Sequence, residues 1–306
     1  MDKKRIAIIF NGSAGAQDGA AQLQQLKAIC QEYELDTTLF VVPAGADISQ
    51  MAKKVLHEKF EVIVAAGGDG TISAVAGELI GTTVLLGILP LGTRNHFAKD
   101  IQLPLDLKEA LAVLSQGEAM ALDMASVNGQ FFVNNSGVGL YPKIVKFREQ
   151  FQRKGLYRWI AFIFASAIVL NRNSFLRLRI ASSKKDITSR TPLIFVGNNR
   201  YTMQGYELGS RDSLVRGKLF ISLMHHTSRL KLFRIAAQAV LGLPSQYADF
   251  DTWMDQEMTI YAEKKFLRVS LDGEIRLMQT PLHYLIHPHA INVIVPQNYA
   301  HDRSHL

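Results

Sequence analysis

Residues 62–72 read VIVAAGGDGTI, and this stretch decides the fold. An apolar, β-branched run meets a glycine-rich turn, and Ile72 begins a helical pattern, so the sequence predicts a strand, a tight turn and a helix. The free backbone N–H groups of such a helix start point toward the carboxyl end of the strand, where they bind phosphate. The glycines let a ligand approach the backbone, and Thr71 can donate a hydroxyl hydrogen bond.

This glycine-rich loop excludes two common phosphate-binding classes. No Lys-Ser or Lys-Thr step follows it, so it is not a Walker A loop, and it lacks the Gly-x-Gly-x-x-Gly spacing of a dinucleotide fingerprint. Asp69 would repel a phosphate, so its predicted role is to hold the loop or to bind a cation. A structural turn without a ligand remains the alternative.

Strands and helices alternate on both sides of this stretch. The sequence predicts strands at residues 5–10, 37–42, 62–66 and 84–89, and helices at residues 17–32, 48–59, 72–81 and 107–116. This alternation is typical of an α/β domain with a largely parallel sheet.

From Met120 onward the pattern changes to consecutive strands, which indicates a mainly antiparallel β domain. The predicted strands are 121–127, 130–134, 175–181, 193–198, 218–224, 258–261, 267–271 and 290–295, with helices near 143–170 and 231–241. The length of 306 residues exceeds one usual domain of about 100–200 residues. We therefore predict an α/β domain at residues 1–122, joined by residues 290–306, and a mainly β domain at residues 123–289.

Two further small-residue loops follow predicted strands of the α/β domain. Residues 11–15 read NGSAG after the first strand, and residues 90–95 read PLGTRN after the fourth. Because the carboxyl ends of parallel strands meet at one edge of a sheet, we expect these loops to share a crevice with residues 67–71. Each loop alone is weak evidence, since turns favour Gly, Asn and Ser.

An acidic pair follows a predicted strand near the end of the chain, where residues 269–274 read VSLDGE. An Asp-Gly step is often only a hairpin turn. Phosphoryl transfer to a neutral hydroxyl, however, needs a positioned carboxylate that accepts the proton. Asp272 is therefore the candidate general base, with Glu274 as a second catalytic carboxylate.

These four elements, in this order, resemble the diacylglycerol kinase catalytic family, particularly its soluble bacterial lipid-kinase branch. The resemblance covers nearly the whole chain, and residues 132–140 resemble the start of the family's second domain. It implies a nucleotide cleft between the α/β domain and a β-sandwich lipid-substrate domain. It also implies ATP with Mg²⁺ as cofactors, Asp272 as proton acceptor, and diacylglycerol or a similar lipid as substrate.

The resemblance also assigns the nucleotide-contacting residues, and it assigns no side chain as a resident metal ligand. These residues are Asn11, Gly12, Ser13, Gly15, Gly67, Gly68, Asp69, Gly70, Thr71, Gly92, Thr93 and Asn95.

The chain departs from the family pattern at three places. It has His96 where many bacterial relatives have Asp, and Ser73-Ala74 where they often have Asn-Glu. An Asp-Gly step that helps form a second Mg²⁺ site in many relatives is Arg216-Gly217 here. Because an arginine cannot bind a cation, we predict that this second site is absent or replaced by a fixed guanidinium, paired with Asp212.

Composition favours an anionic partner. The formal net charge is +7, Cys30 is the one cysteine, and the longest apolar stretch, residues 159–170, is shorter than the ~20 residues of a membrane-spanning helix. We expect a cytoplasmic protein without a transmembrane span that works peripherally at an anionic membrane surface. Nucleic-acid binding is not expected. The histidine pairs lack the spacing of metal ligands. The sequence leaves open whether the protein forms a homodimer.

Two other functions remain as alternatives. One is an NAD kinase-like or phosphofructokinase-like enzyme, since both use a Gly-Gly-Asp-Gly loop. The other is a nucleotide or lipid sensor in which Arg216, His96 and Ala74 have weakened catalysis. The apolar stretch near residues 157–170 is either a buried helix or an acyl-binding surface.

Overall fold

The computed structural model describes residues 5–12, 19–33, 36–140, 175–204, 207–211, 213–224 and 250–299, with the backbone alone at 202–204 and 207–210. The helices predicted near 143–170 and 231–241 lie outside these residues, as do Ser13, Gly15 and Asp212. Within the described part, no helix is long and apolar enough to cross a membrane.

The first third of the chain forms an α/β unit around four parallel strands in the order β2-β1-β3-β4. Every residue of β1 and β3 is buried, as expected for central parallel strands with helices on both faces. The strands are β1 Ile6–Phe10, β2 Thr37–Val41, β3 Val62–Gly67 and β4 Leu85–Pro90, and the helices are α1 Gly19–Glu32, α2 Ile48–Leu56, α3 Asp69–Leu79, α4 His96–Asp100 and α5 Leu107–Gln116.

The long strand near the carboxyl end, β18 Leu282–Val295, continues this sheet into the second part of the molecule. Its second half pairs with β4 in parallel, and its first half pairs antiparallel with β15, followed by β8 and β9. The antiparallel strands of this sheet are β5 Glu118–Val127, β6 Gln130–Phe132, β8 Leu176–Ser182, β9 Asp186–Thr191 and β15 Glu257–Ala262.

A second, antiparallel sheet has the order β14-β13-β10-β7-β16-β17. Apolar residues from it, such as Val138, Val196 and Val269, share one buried cluster with Ile180 and Ile260 of the first sheet. The two sheets therefore form a sandwich. Its strands are β7 Asn135–Gly139, β10 Leu193–Asn198, β13 Leu219–Met224, β14 Phe250–Asp255, β16 Phe266–Leu271 and β17 Glu274–Gln279, and β11 Tyr201–Gln204 and β12 Glu207–Arg211 form a separate hairpin.

The predicted fold class is confirmed: an α/β unit with a parallel sheet is followed by an antiparallel β-sandwich. The domain limits stay a prediction, because the limits after residues 122 and 289 fall inside β5 and β18. Helix α3 begins at Asp69 rather than at Ile72, so the last residues of the glycine loop form its first turn.

Candidate active site

Three loops of the α/β unit meet at the carboxyl ends of β1, β3 and β4. The backbone N–H of Asn11 donates to the Ala66 carbonyl at 2.9 Å, and its Nδ2 donates to the Thr71 hydroxyl at 3.0 Å. The Leu91 N–H donates to the Gly67 carbonyl at 3.0 Å. These bonds bring residues of the three predicted loops together at one edge of the sheet.

The two glycine-rich loops approach each other backbone to backbone. A Cβ atom at Gly92 would lie 2.5 Å from the Gly68 Cα and 2.7 Å from the Asn95 Oδ1. Because the Gly68 backbone also precedes the first turn of α3, it cannot move aside freely. Close backbone approach, rather than a positive φ angle, requires glycine at position 92.

Asp69 holds the loops rather than facing open space. Its carboxylate accepts hydrogen bonds from the N–H groups of His96, at 3.1 Å, and Phe97, at 3.0 Å, at the start of α4. It also accepts one from Asn134 Nδ2, at 3.2 Å. These contacts correspond to the predicted role of Asp69 in holding the loop. They also connect α3, α4 and the sandwich.

Asn95 and Thr93 occupy different environments in the third loop. Asn95 is buried in the left-handed conformation, and its Nδ2 donates to the carbonyls of Pro90 and Gly92, so its side chain shapes the loop from inside. Thr93 is exposed. A cavity of about 380 Å³ opens beside this loop, lined by Gly92, Thr93 and Leu105 among other residues.

Asp272 sits at the end of β16, where the sandwich faces the glycine loops. Its carboxylate accepts backbone N–H bonds from Val133 at 2.8 Å, Asn134 at 2.8 Å and Asn135 at 2.9 Å. Burial raises the pKa of Asp272 to about 6, although these hydrogen bonds and one with Ser73 act to lower it. A half-buried carboxylate with this pKa is ionised at neutral pH and can accept a proton.

The Glu274 side chain lies close to Gly70 of the glycine loop. A Cβ atom at Gly70 would lie 2.7 Å from its Oε1, so this exposed carboxylate lies next to the first turn of α3. The structure thus brings the predicted Asp-Gly-Glu turn and the predicted phosphate loop together.

The larger cavity, of about 650 Å³, includes Leu267 at the other end of β16, far from this site.

His96 and Arg216, at which the sequence is expected to depart from the family pattern, lie in different environments. His96 lies at the start of α4, where burial lowers its pKa and the neighbouring Asp69 acts in the opposite direction. Arg216 is exposed, and the backbone of its loop is held by protein groups, because the Gly217 N–H donates to Asp123 and the Arg216 N–H donates to Asn199. The predicted pairing of Arg216 with Asp212 stays a prediction, and a different arginine, Arg211, has a buried guanidinium that pairs with Asp100.

Sequence reasoning missed the residues that hold Asp272. Three backbone N–H groups carry out that task, and backbone groups leave no signature in a sequence. Arg211 and Asp100 lie 111 residues apart in sequence, and no periodic pattern connects them. Among the residues that the structure describes, no three His, Cys, Asp or Glu side chains are arranged to hold a metal ion.

Comparison with known proteins gives a match to one domain family and to full-length relatives. Residues 5–127 match the model of the diacylglycerol kinase catalytic domain. A diacylglycerol kinase of Bacillus subtilis (strain 168) is 25% identical over 303 residues, covering 97% of this chain and 98% of that protein.

Solved structures share the fold. The crystal structure of a diacylglycerol kinase from Bacillus anthracis str. Sterne has a TM-score of 0.68 at 19% identity, covering 98% of this chain and 99% of that chain. Yeast NADH kinase complexed with NADH has a TM-score of 0.56 at 10% identity, covering 97% of this chain and 85% of that one. The domain match at residues 5–127, the relatives that span nearly the whole chain and this fold make the chain similar to the diacylglycerol kinases, which supports a lipid kinase enzyme.

Proposed function

We propose that this lipid kinase transfers the γ-phosphate of ATP to the hydroxyl of diacylglycerol or a similar lipid, with Asp272 as general base. The observation that carries the proposal is the position of Asp272. Its carboxylate is fixed by three backbone N–H groups, and the adjoining Glu274 lies beside Gly70 of the phosphate loop.

The nucleotide belongs in the crevice of the three loops. Glycines carry no side chain that would keep a phosphate away from the backbone, and the N-cap Gly68 supplies no side-chain cap to the N–H groups at the start of α3. We propose contacts from Asn11, Gly12, Ser13, Gly15, Gly67, Gly68, Gly70, Thr71, Gly92 and Thr93, with Asp69 and Asn95 shaping the loops. The exposed Glu274 carboxylate would hold the Mg²⁺ that accompanies ATP, which would supply neutralisation of phosphate charge.

The chemical step is a direct transfer. The lipid hydroxyl gives its proton to a carboxylate oxygen of Asp272 while its oxygen forms a bond to the γ-phosphorus. The bond between the γ-phosphorus and the bridging oxygen breaks, and ADP leaves with that electron pair. Asp272 then releases its proton to water, which its pKa of about 6 allows at neutral pH.

We propose that the lipid acceptor binds to the sandwich, because Asp272 follows its strand β16. A lipid acceptor brings the protein to a membrane surface, and the formal net charge of +7 favours an anionic one. We propose peripheral contact with such a surface during turnover.

A panel of acceptors tests the proposal. The protein is incubated with Mg²⁺, radiolabelled ATP and, separately, diacylglycerol, monoacylglycerol, phosphatidylglycerol, sphingosine, undecaprenol and NAD. Labelled diacylglycerol or another labelled lipid supports the proposal and names the substrate. Label in NAD alone would show an NAD kinase-like enzyme, and ATP binding without any labelled acceptor would show a sensor.

A further inference from the structure

Arg211 is a fully buried cation at the junction between the α/β unit and the sandwich. Its side chain has an exposed fraction of 0%, and that of its partner Asp100 has 9%. The Arg211 Nε donates to Asp100 Oδ2 at 2.7 Å, which ties the end of β12 to the end of α4. Helix α4 follows directly on the loop that contains Gly92.

The remaining faces of the guanidinium are also occupied. One terminal nitrogen donates to the carbonyls of Val133 and Asn198, and the other donates to Asn134 Oδ1 at 2.9 Å. The rings of Phe97 and Tyr201 lie 5.7 and 5.6 Å from its central carbon. This packing fixes the guanidinium in one orientation.

Asn134 connects this cation to the two acidic residues of the site. Its backbone N–H donates to Asp272, and its Nδ2 donates to Asp69. A guanidinium can only donate hydrogen bonds, so it requires the amide oxygen of Asn134 to face it. The amide nitrogen must then point toward Asp69.

We propose that Arg211 is a positioning residue for phosphoryl transfer: by holding Asn134, it fixes Asp69 and Asp272 relative to each other across the junction. This inference rests on the proposed function, because Asp272 matters only if it accepts the proton. Arg211 itself does not touch the substrate, since its side chain is buried behind Asn134.

If Arg211 only stabilised the fold, a variant that folds without this ion pair would keep wild-type kcat. Replacing a buried ion pair by apolar residues of similar volume is often neutral for stability, whereas removing one partner leaves an uncompensated charge. The double variant Arg211→Met/Asp100→Leu should therefore fold while leaving Asn134 without its partner. The exposed pair Arg179 and Asp186, at 2.7 Å, provides the matched control Arg179→Met/Asp186→Leu.

The kinetic test uses the best acceptor of the lipid panel. We expect the Arg211→Met/Asp100→Leu variant to lose about 10- to 100-fold in kcat, because a misplaced catalytic group costs that much, with KM for ATP changed less than about 2-fold. Asn134→Ala should lose a similar factor, and the combined triple variant should lose little more, since both changes act through one contact. The Arg179→Met/Asp186→Leu control should retain wild-type kcat.

A second measurement does not depend on turnover. The N–H groups of Val133, Asn134 and Asn135 bond to Asp272, so their hydrogen exchange should accelerate in the Arg211→Met/Asp100→Leu variant and stay at the wild-type rate in the control. Wild-type kcat with unchanged exchange in a folded double variant, or losses that simply multiply in the triple variant, would overturn the inference. If the double variant does not fold, Asn134→Ala with wild-type kcat overturns it instead.

If the wild-type protein labels no lipid, the proposed function fails while hydrogen exchange still decides whether Arg211 organises the Asp272 site.

Discussion

Asp272 combines two opposing influences within one residue. Removal from water raises its pKa to about 6, and three backbone N–H groups nevertheless keep its carboxylate oriented. Its positive φ of 48° lets the chain turn sharply, so that Glu274 returns toward the glycine loop. A base that is both oriented and weakly acidic suits proton transfer near neutral pH.

Replacing Asp272 by Asn should reduce kcat by about 100-fold or more, because an amide cannot accept the proton that general-base catalysis removes. Asn tolerates the left-handed backbone conformation, so the turn should persist. KM for ATP should change little, since the nucleotide loops are separate. The measurement is steady-state kinetics with Asp186→Asn, an exposed carboxylate, as control. Unchanged kcat in Asp272→Asn would refute the assignment of the base.

The raised pKa of Asp272 predicts opposite effects of pH on activity and on stability. Activity should rise as pH increases through about 6, because the ionised carboxylate is the active form. The folded state binds this proton more tightly than the unfolded state, whose carboxyl has the ordinary value of 3.8, so between these values the contribution of Asp272 to stability falls as pH rises. Both slopes should flatten in Asp272→Asn, measured by pH–rate profiles and by Tm between about pH 4 and 7.

At the scale of elements, the proposed phosphate site depends on how closely the loops that contain Gly68 and Gly92 approach each other. Gly92→Ala should weaken ATP binding by roughly 10-fold or more, because the added methyl group meets the Gly68 backbone and pushes the loops apart. Gly77→Ala is the matched control, since a Cβ there is 3.7 Å from the nearest atom, in Phe131, and α3 should gain about 0.5–1 kcal/mol of helix stability. Nucleotide titration by calorimetry makes the comparison, and equal affinities in the two variants would contradict it.

Some helices and strands could be predicted from the sequence and others could not, for physical reasons. The buried strands β1 and β3 have continuous apolar runs, so their positions and the loops that follow them were predictable. Strand β9, with the sequence DITSRT at a sheet edge, lacks that signal, and α4 has only five residues, too few for a helical period. The hydrogen bonds of Asn134 to Asp272 and to the buried Arg211 arise from tertiary contacts alone.

At the scale of the whole molecule, β18 makes the two parts one structure. Its residues pair with β4 of the α/β unit and with β15 of the sandwich, and β5 runs beside it along most of its length. The ion pair between Arg211 and Asp100 adds a second connection. The proposed phosphoryl transfer gains from this, because Asp272 on one part must keep its distance from the glycine loop on the other.

Shared strands predict that the two parts unfold together. Cys30, the one cysteine, is buried in α1, and Trp253 lies in β14 of the sandwich, so thiol labelling and tryptophan fluorescence, both measured in a Trp159→Phe variant, report on different parts. Equilibrium denaturation should give the same midpoint with both probes. Ile291→Ala, which empties a buried position of β18, should lower both midpoints equally, for a loss of about 2–5 kcal/mol. Separate midpoints would show that the sandwich and the α/β unit are independent domains, and that β18 transmits no stability between them.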